Sequence, residues 1–246
     1  MPRAFFSAFL LFATMHMESS VGQDGRAAER GRMVEEIAAM ARETGAETGR
    51  PRFSEVVMAA MGKVPRHRFV PAAQQGSAYA NRPLQIGEGQ TISQPYIVAL
   101  MTDLLDPKPG DTVLEIGTGS GYQAAVLGEL VARVYTIEII APLGKRAAQL
   151  LGELGYRNVS VRIGDGYKGW PEAAPFDSIV VTAAAAEPPK PLLTQLKNGG
   201  RMVIPLGFPG GVQELVLIEK SADGSVSTRR TLPVRFVPFT REPSDR

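Results

Sequence analysis

The sequence predicts an α/β protein built on a mostly parallel, doubly wound sheet, with an antiparallel strand region at its C-terminal end. Two observations support this prediction. From Asp111 onward, short apolar runs alternate with segments of helical periodicity, which is the pattern of strands joined by crossover helices. Near the C terminus, the pair Asp223-Gly224 separates two further strand-like runs, and such a pair is typical of a hairpin.

The predicted strands are short, rich in apolar residues and bounded by turn residues, as expected for strands in a buried sheet. Helical segments lie between several of them. Strands are predicted at residues 112–116, 134–137, 159–163, 178–182, 201–205, 214–220 and 227–236, and helices at 122–130, 141–154 and 190–196.

The chain before residue 111 predicts a helical part followed by a long irregular part. Apolar residues at helical spacing indicate two helices, the second of which stops at Pro65. The irregular part is rich in Pro, Gly and polar residues, and long segments of this kind are often binding loops. The helices are predicted at 26–43 and 53–61 with a break at 45–51, and the irregular stretches at 64–71 and 79–89.

A further apolar helix is predicted over residues 96–105, with Pro95 in its first turn. In this arrangement Ser93 or Gln94 caps the helix, and capping alone explains their presence. The same physics allows another interpretation, because free N–H groups at a helix N-terminus together with a serine hydroxyl can bind a carboxylate.

Composition restricts the classes of ligand. The 246 residues include 27 basic and 25 acidic side chains, a nearly balanced charge, and no basic stripe interleaved with aromatics is present, so nucleic-acid binding is not expected. The chain has no cysteine and only two histidines, His16 and His67. We therefore predict no disulfide and no metal site.

A glycine loop follows the first strand of the sheet. Gly117, Gly119 and Gly121 lack Cβ atoms, so the backbone there can turn sharply and approach a ligand closely. A dinucleotide fingerprint requires its third glycine at position 122, which Tyr122 occupies. Glu115 suits a ligand that carries an amino group and a sulfonium cation better than it suits a pyrophosphate. The loop therefore predicts a site for S-adenosylmethionine.

Acidic residues follow the next two strands. Glu138 can accept hydrogen bonds from a ribose diol, although a solvated loop acid is an equally good explanation when it is taken alone. Asp165, in Gly164-Asp165-Gly166, can accept a hydrogen bond from an adenine amino group, or it can simply form a turn. Because the carboxyl ends of parallel strands meet at one edge, the three strand ends together predict a bound adenosyl group.

The chain resembles the protein-L-isoaspartate O-methyltransferases, a repair family that acts on damaged aspartyl and asparaginyl sites. The similarity runs from about residue 32 to residue 238, and nothing before Gly31 matches. The glycine loop alone indicates a methyltransferase of the common α/β class, whereas Thr91-Ile-Ser-Gln-Pro95 is specific to the repair family. The matching segments are 63–71, 89–95, 114–122, 164–166, 175–183 and 196–205.

The resemblance implies a Rossmann-like methyltransferase sheet that binds S-adenosylmethionine, with isoaspartyl peptides and proteins as partners. It makes Ser93 the active-site serine, close to the substrate carboxylate and the transferred methyl group. It also implies that residues 234–238 help to close over the substrate peptide, and a monomer is expected. The residues implied to hold the cofactor are Glu115, Gly117, Thr118, Gly119, Gly121, Glu138, Asp165 and Gly166.

A carboxylate is already ionised at neutral pH, so methylation needs no strong general base. We therefore expect Ser93 to orient the α-carboxylate by hydrogen bonding and not to act as a covalent nucleophile. Two alternatives use the same fold: a methyltransferase acting on RNA or a small molecule, and a non-catalytic adenosyl-binding protein.

The sequence divides into an N-terminal extension, residues 1–30, and one methyltransferase domain, residues 31–246. Within the domain, residues 31–110 form the expected substrate side and 111–246 the cofactor-binding sheet. Arg3 and the apolar run after it resemble the start of a signal peptide, and two interpretations compete with secretion: a disordered extension, or a later start at Met15 or Met17. The run is too short to span a bilayer, so no stable membrane association is expected. Because the methyl donor is a cytosolic metabolite, we expect a cytoplasmic protein, with export as the alternative.

Overall fold

The computed structural model describes residues 26–208 and 211–241. The signal-like segment and most of the predicted N-terminal extension lie outside the described residues. Among the helices that are described, none is long and apolar enough to cross a membrane. Within the same residues, no group of three or more His, Cys, Asp or Glu side chains is arranged to hold a metal ion.

The N-terminal part of the described chain forms four helices packed around a common core. Met33, Ile37 and Ala41 are buried one or two turns apart on the first helix, which gives it one apolar face. The last helix is buried along almost its whole length. The predicted break at 45–51 contains a short helix that ends at Gly49 in the left-handed conformation (φ 67°). The helices are α1 (Ala27–Glu43), α2 (Gly45–Thr48), α3 (Glu55–Lys63) and α4 (Pro95–Leu105).

The segment predicted to be irregular is more ordered than expected. Short 3₁₀ turns cover Arg66–Phe69 and Ala72–Ser77. They are followed by an antiparallel hairpin of β1 (Leu84–Gly87) and β2 (Gln90–Ile92). The prediction missed these elements because strands this short show almost no periodicity. The hairpin places Thr91 and Ser93 beside the start of α4.

The central sheet has seven strands in the order β5, β4, β3, β6, β7, β8, β9. Strands β3 to β7 pair in parallel, and β8 and β9 are antiparallel to their neighbours. The predicted fold class is therefore confirmed. The strands are β3 (Thr112–Ile116), β4 (Arg133–Glu138), β5 (Val159–Ile163), β6 (Phe176–Val181), β7 (Leu196–Leu206), β8 (Gln213–Lys220) and β9 (Val226–Val234), and the helices between them are α5 (Tyr122–Gly128), α6 (Ala141–Glu153) and α7 (Lys190–Gln195).

Alternate residues of the buried strands face two separate cores, as the two-residue repeat of a strand requires. On β3, Val113 faces the core that also contains buried residues of α1, α3, α4 and α5, whereas Leu114 and Ile116 face the core that contains Leu192 of α7. Successive strands run outward in both directions from β3, so the strand order reverses there. Ligands of open α/β sheets bind beyond the carboxyl ends of the strands at this reversal, where the glycine loop and Glu138 lie.

Candidate active site

The glycine loop after β3 has a backbone that few other residues could adopt. Gly117, Gly119 and Gly121 have φ values of 95°, 53° and 88°. A Cβ atom on Gly117 would lie 2.4 Å from Oγ1 of Thr182, which itself donates to the carbonyl oxygens of Ile116 (3.0 Å) or Gly117 (2.8 Å). The loop therefore presents bare backbone to the cleft above it.

Thr118 holds this loop in place from behind. Its side chain is buried, and its Oγ1 lies 2.6 Å from Oγ1 of Thr136 on β4. Its backbone N–H donates to the carbonyl oxygen of Ile137 (3.2 Å), as does that of Gly117 (2.8 Å). These bonds tie the loop to the neighbouring strand.

Glu138 closes β4 and faces the glycine loop. Its carboxylate is nearly buried; Oε2 accepts the N–H of Gly119 (2.7 Å) and Oε1 accepts the N–H of Ile140 (2.9 Å). Each carboxylate oxygen can accept a second hydrogen bond, so the group is fixed in position and still able to accept from two hydroxyls. The alternative of a solvated loop acid does not describe this residue.

Asp165 and Gly166 follow β5. Asp165 Oδ1 accepts the N–H of Tyr167 (2.9 Å), as in a side-chain turn, and Oδ2 lies 3.4 Å from Nε of Arg241. The guanidinium of Arg241 also stacks on the Tyr167 ring, 3.7 Å from its centroid. A Cβ atom on Gly166 would lie 2.4 Å from Cγ2 of Ile116, so the chain passes very close to the sheet there.

Glu115 lies in the interior of the sheet and is fully buried, with no hydrogen-bond partner within the described chain for either carboxyl oxygen. Burial raises the pKa of this carboxyl to about 8, although the Thr136 hydroxyl opposes the shift; the charge of Glu138 adds to it. The group is therefore mainly protonated at neutral pH. Because burial opposes ionisation and Glu115 does not line the cleft, its electrostatic role toward a cofactor stays a prediction from the sequence.

The cofactor cleft is bordered by four of the predicted residues, Gly117, Gly119, Glu138 and Gly166. Glu115, Thr118, Gly121 and Asp165 are not among its lining residues. Sequence reasoning missed the apolar walls of the cleft, which come from Ile137, Ile139, Ile140 and Phe239. The three isoleucines cluster at the carboxyl end of β4, and that run could have indicated an apolar wall beside Glu138.

Bare glycine backbone, a fixed carboxylate and apolar walls together fit an adenosyl methyl donor. Gly117 and Gly166 lie where a Cβ atom would collide with a neighbour, and Glu138 offers acceptors for a sugar diol. The apolar walls suit a purine ring.

A second, larger cavity of about 480 Å³ adjoins the cofactor cleft, and Thr91, Thr182 and Val237 border both. Ser93 and Tyr96 line the larger cavity. Its opposite wall is formed by β9 and the residues after it. These wall residues are Leu232, Pro233, Val234, Arg235, Phe236 and Val237.

Of the two predicted capping residues, Ser93 does not cap α4 and Gln94 does so by position only. Gln94 occupies the N-cap position without a side-chain cap bond. Asn81 supplies the bond instead, because its Oδ1 accepts the N–H of Tyr96 (3.0 Å). The carbonyl oxygen of Ser93 accepts from Arg66 (2.6 Å), and within the described chain its hydroxyl makes no hydrogen bond that would compete with a ligand.

Tyr96 places a second hydroxyl at the larger cavity, 2.5 Å from Oγ1 of Thr44. Burial raises the pKa of Tyr96, while the hydrogen bond to Thr44 opposes the shift. The phenol therefore stays protonated at neutral pH and can donate a hydrogen bond.

The fold and these two adjoining cavities define the class of protein, an α/β methyltransferase of the S-adenosylmethionine-dependent type. The family model described as protein-L-isoaspartate(D-aspartate) O-methyltransferase matches residues 46–244. The chain belongs to this family, which confirms the resemblance seen in its sequence.

Curated relatives and solved structures agree with this assignment. The chain is 66% identical over 208 residues to protein-L-isoaspartate O-methyltransferase 2 of Polaromonas sp., covering 85% of this chain and 99% of the relative. It is 63% identical over 220 residues to protein-L-isoaspartate O-methyltransferase 1 of Cupriavidus necator, covering 89% and 85%.

A solved protein-L-isoaspartate O-methyltransferase superposes with a TM-score of 0.72 at 30% identity, covering 83% of this chain and 65% of that one. A Plasmodium falciparum structure described as a putative protein-L-isoaspartate O-methyltransferase in complex with S-adenosyl-L-homocysteine has a TM-score of 0.68 at 24% identity, covering 82% of this chain and 98% of that one. The latter supports the fold.

Proposed function

We propose that this protein transfers a methyl group from S-adenosylmethionine to the α-carboxylate of L-isoaspartyl residues in damaged peptides and proteins. The observation that carries the proposal is the position of Ser93, in a cavity that shares Thr91 and Thr182 with the cofactor cleft. A substrate carboxylate beside Ser93 then lies next to the cofactor. Membership of the protein-L-isoaspartate O-methyltransferase family supports the substrate class.

Gly117, Gly119, Glu138 and Gly166 hold the cofactor in this proposal, and the bound sulfonium supplies an electrophilic methyl group. The Glu138 carboxylate accepts from the ribose hydroxyls while it stays bonded to the N–H groups of Gly119 and Ile140. We propose that Glu115, Thr118, Gly121 and Asp165 act from behind the cleft, by fixing the loops that form it.

The substrate side has only to align and desolvate the acceptor. Its carboxylate is ionised at neutral pH, so no residue has to remove a proton before methyl transfer. Ser93 donates a hydrogen bond to one carboxylate oxygen and so orients the other toward the methyl carbon. The apolar walls from Leu232, Val234 and Phe236 exclude water from the anion.

Repair then proceeds without further catalysis. The ester can release its methoxy group far more readily than a carboxylate can release an oxygen. The backbone nitrogen of the following residue therefore attacks the ester carbonyl, and the methoxy group leaves as methanol with the proton from that nitrogen. The resulting succinimide reopens by hydrolysis, in part to normal aspartate.

The reaction is tested with radiolabelled S-adenosylmethionine and matched peptides that contain isoaspartate or aspartate. We expect base-labile label only in the isoaspartyl peptide. Label in added RNA or a small metabolite, or no label at all, would overturn the proposal.

The role of Ser93 is tested by Ser93→Ala. A hydrogen bond to a charged group contributes about 1.5–3 kcal/mol, which corresponds to a fall of roughly 10- to 150-fold in kcat/KM. Ser160→Ala, at an exposed position on β5, serves as the control and should retain wild-type kcat/KM. Full activity of Ser93→Ala would show that Ser93 does not orient the acceptor.

We further propose that the protein acts as a monomer in the cytoplasm, where its methyl donor is made. Sedimentation at micromolar concentration measures the oligomeric state. N-terminal sequencing of the mature protein, together with cell fractionation, measures the location. A dimer, or removal of the signal-like segment with export, would contradict these expectations.

A further inference from the structure

Arg66 is a buried cation at the centre of the substrate side. Its side chain is 0% exposed, although arginine is rarely fully buried. Its Nε donates to the carbonyl oxygen of Ala78 (2.8 Å) and its Nη2 to the carbonyl oxygen of Ser93 (2.6 Å). Its Cζ lies over the ring of Tyr122, 4.7 Å from the centroid.

Among the described residues, no carboxylate forms an ion pair with Arg66. Burial lowers its pKa to about 10, and Tyr122 and Tyr79 partly oppose the shift. The guanidinium therefore remains charged at neutral pH, with its Nη1 buried and without a hydrogen-bond partner within the described chain. Burying a charge without a counter-ion costs folding free energy. A contribution to stability therefore does not by itself explain an arginine at position 66.

The contacts of Arg66 join the two halves of the site. Ser93 lies on the substrate cavity, and Tyr122 follows Gly121, the last glycine of the cofactor loop. One planar group thus bonds to the backbone of Ser93 and rests on the first residue of α5. A shift of the guanidinium would move Ser93 relative to the cofactor loop.

We propose that Arg66 is a positioning residue that fixes Ser93 at the correct distance from the cofactor loop. The inference rests on the proposed role of Ser93, and it explains why a guanidinium is needed. The rigid fork of arginine reaches the carbonyl oxygens of Ala78 and Ser93 while its flat face stacks on the Tyr122 ring. A lysine ammonium keeps the charge but lacks the planar fork.

The test is a double-mutant cycle of Arg66→Lys and Ser93→Ala, with kcat/KM measured on an isoaspartyl peptide and expressed per folded molecule. We expect Arg66→Lys to lower kcat/KM about 10-fold, chiefly through kcat, and to change the Kd for S-adenosylhomocysteine less than about 2-fold. In the Ser93→Ala background the same change should cost less than about 2-fold, because Arg66 acts through Ser93.

Arg229→Lys is the matched control, because Arg229 also donates to a backbone carbonyl, that of Thr48 (2.8 Å), and is not among the residues that line either cavity. It should leave kcat/KM unchanged in both backgrounds. If Arg66→Lys does not fold, Tyr122→Leu removes the ring under the guanidinium and should show the same coupling to Ser93.

Equal fold-losses from Arg66→Lys in the wild-type background and in the Ser93→Ala background, or no loss in either, would overturn the proposal. For Tyr122→Leu, too, equal fold-losses in the wild-type and Ser93→Ala backgrounds, or no loss in either, would overturn the proposal. Failure of the proposed function is distinguishable, since it would appear as a wild-type protein that does not methylate the isoaspartyl peptide.

Discussion

Replacing Glu115 by glutamine should change how the stability of the protein depends on pH. The carboxyl of Glu115 is fully buried, and its pKa is raised from 4.5 to about 8. Between these values the native carboxyl is protonated, whereas in the unfolded chain it is ionised. The native state then binds more protons, so the free energy of unfolding falls as pH rises through this range and levels off above about pH 8.

The size of the effect follows from the shift. One pKa unit corresponds to about 1.4 kcal/mol, so a rise of about 3.5 units removes roughly 5 kcal/mol between pH 4.5 and pH 8. At pH 7 the loss already amounts to about 3 kcal/mol. Glu115→Gln keeps the shape of the side chain and cannot ionise, so it should not show this loss.

The assay is urea unfolding of the protein without cofactor, at several pH values from 4.5 to 8.5. We expect the free energy of unfolding of Glu115→Gln, relative to the wild type, to increase by about 3 kcal/mol between pH 4.5 and pH 7. Glu35→Gln, at an exposed position on α1, should show no such divergence. Parallel pH curves for Glu115→Gln and the wild type would refute the conclusion that this carboxyl is neutral in the native protein.

Three further changes test other parts of the structure. Glu138→Gln should raise the Kd for S-adenosylhomocysteine about 10-fold by calorimetry, because it removes the charged acceptor for the ribose diol, and an unchanged Kd would count against that contact. Gly117→Ala should abolish cofactor binding and destabilise the fold by at least about 1–3 kcal/mol. Gly119→Ala should destabilise the fold less, because its Cβ atom would lie 3.5 Å from the nearest side-chain atom. Equal losses of stability for the two variants in thermal unfolding would argue against this difference. Asn81→Ala should cost about 1 kcal/mol by removing the cap of α4, and no change in Tm would contradict that role.

The sheet was predictable from the sequence because each of its strands is marked by a local pattern. Apolar runs bounded by turn residues located all seven strands, with the largest difference at β7, which begins at Leu196 and not at Arg201. The hairpin of β1 and β2 has strands of only four and three residues, and its turn depends on Glu88 and Gly89 at φ values of 53° and 69°. Elements of this length are stabilised by packing on the rest of the fold, so propensity alone does not reveal them.

Within the site, residues marked by a local sequence pattern could be predicted, whereas residues defined only by a partner far away in the chain could not. Gly117 and Glu138 were predicted because each lies at the carboxyl end of a strand, and the same rule applied to β6 would have added Thr182. Arg66 and Asn81 were not predicted, since their partners lie 27 and 15 residues away and only the tertiary fold brings them together.

Glu115 illustrates a further difficulty, which is to predict from the sequence how deeply each face of a strand is buried. Alternation along β3 places it with Val113, on the opposite face from Leu114 and Ile116. The sequence shows that alternation but not that the face is fully covered at this position. Its proximity in sequence to the glycine loop suggested a charge facing the cofactor, whereas complete burial inside the sheet raises its pKa and so opposes that charge.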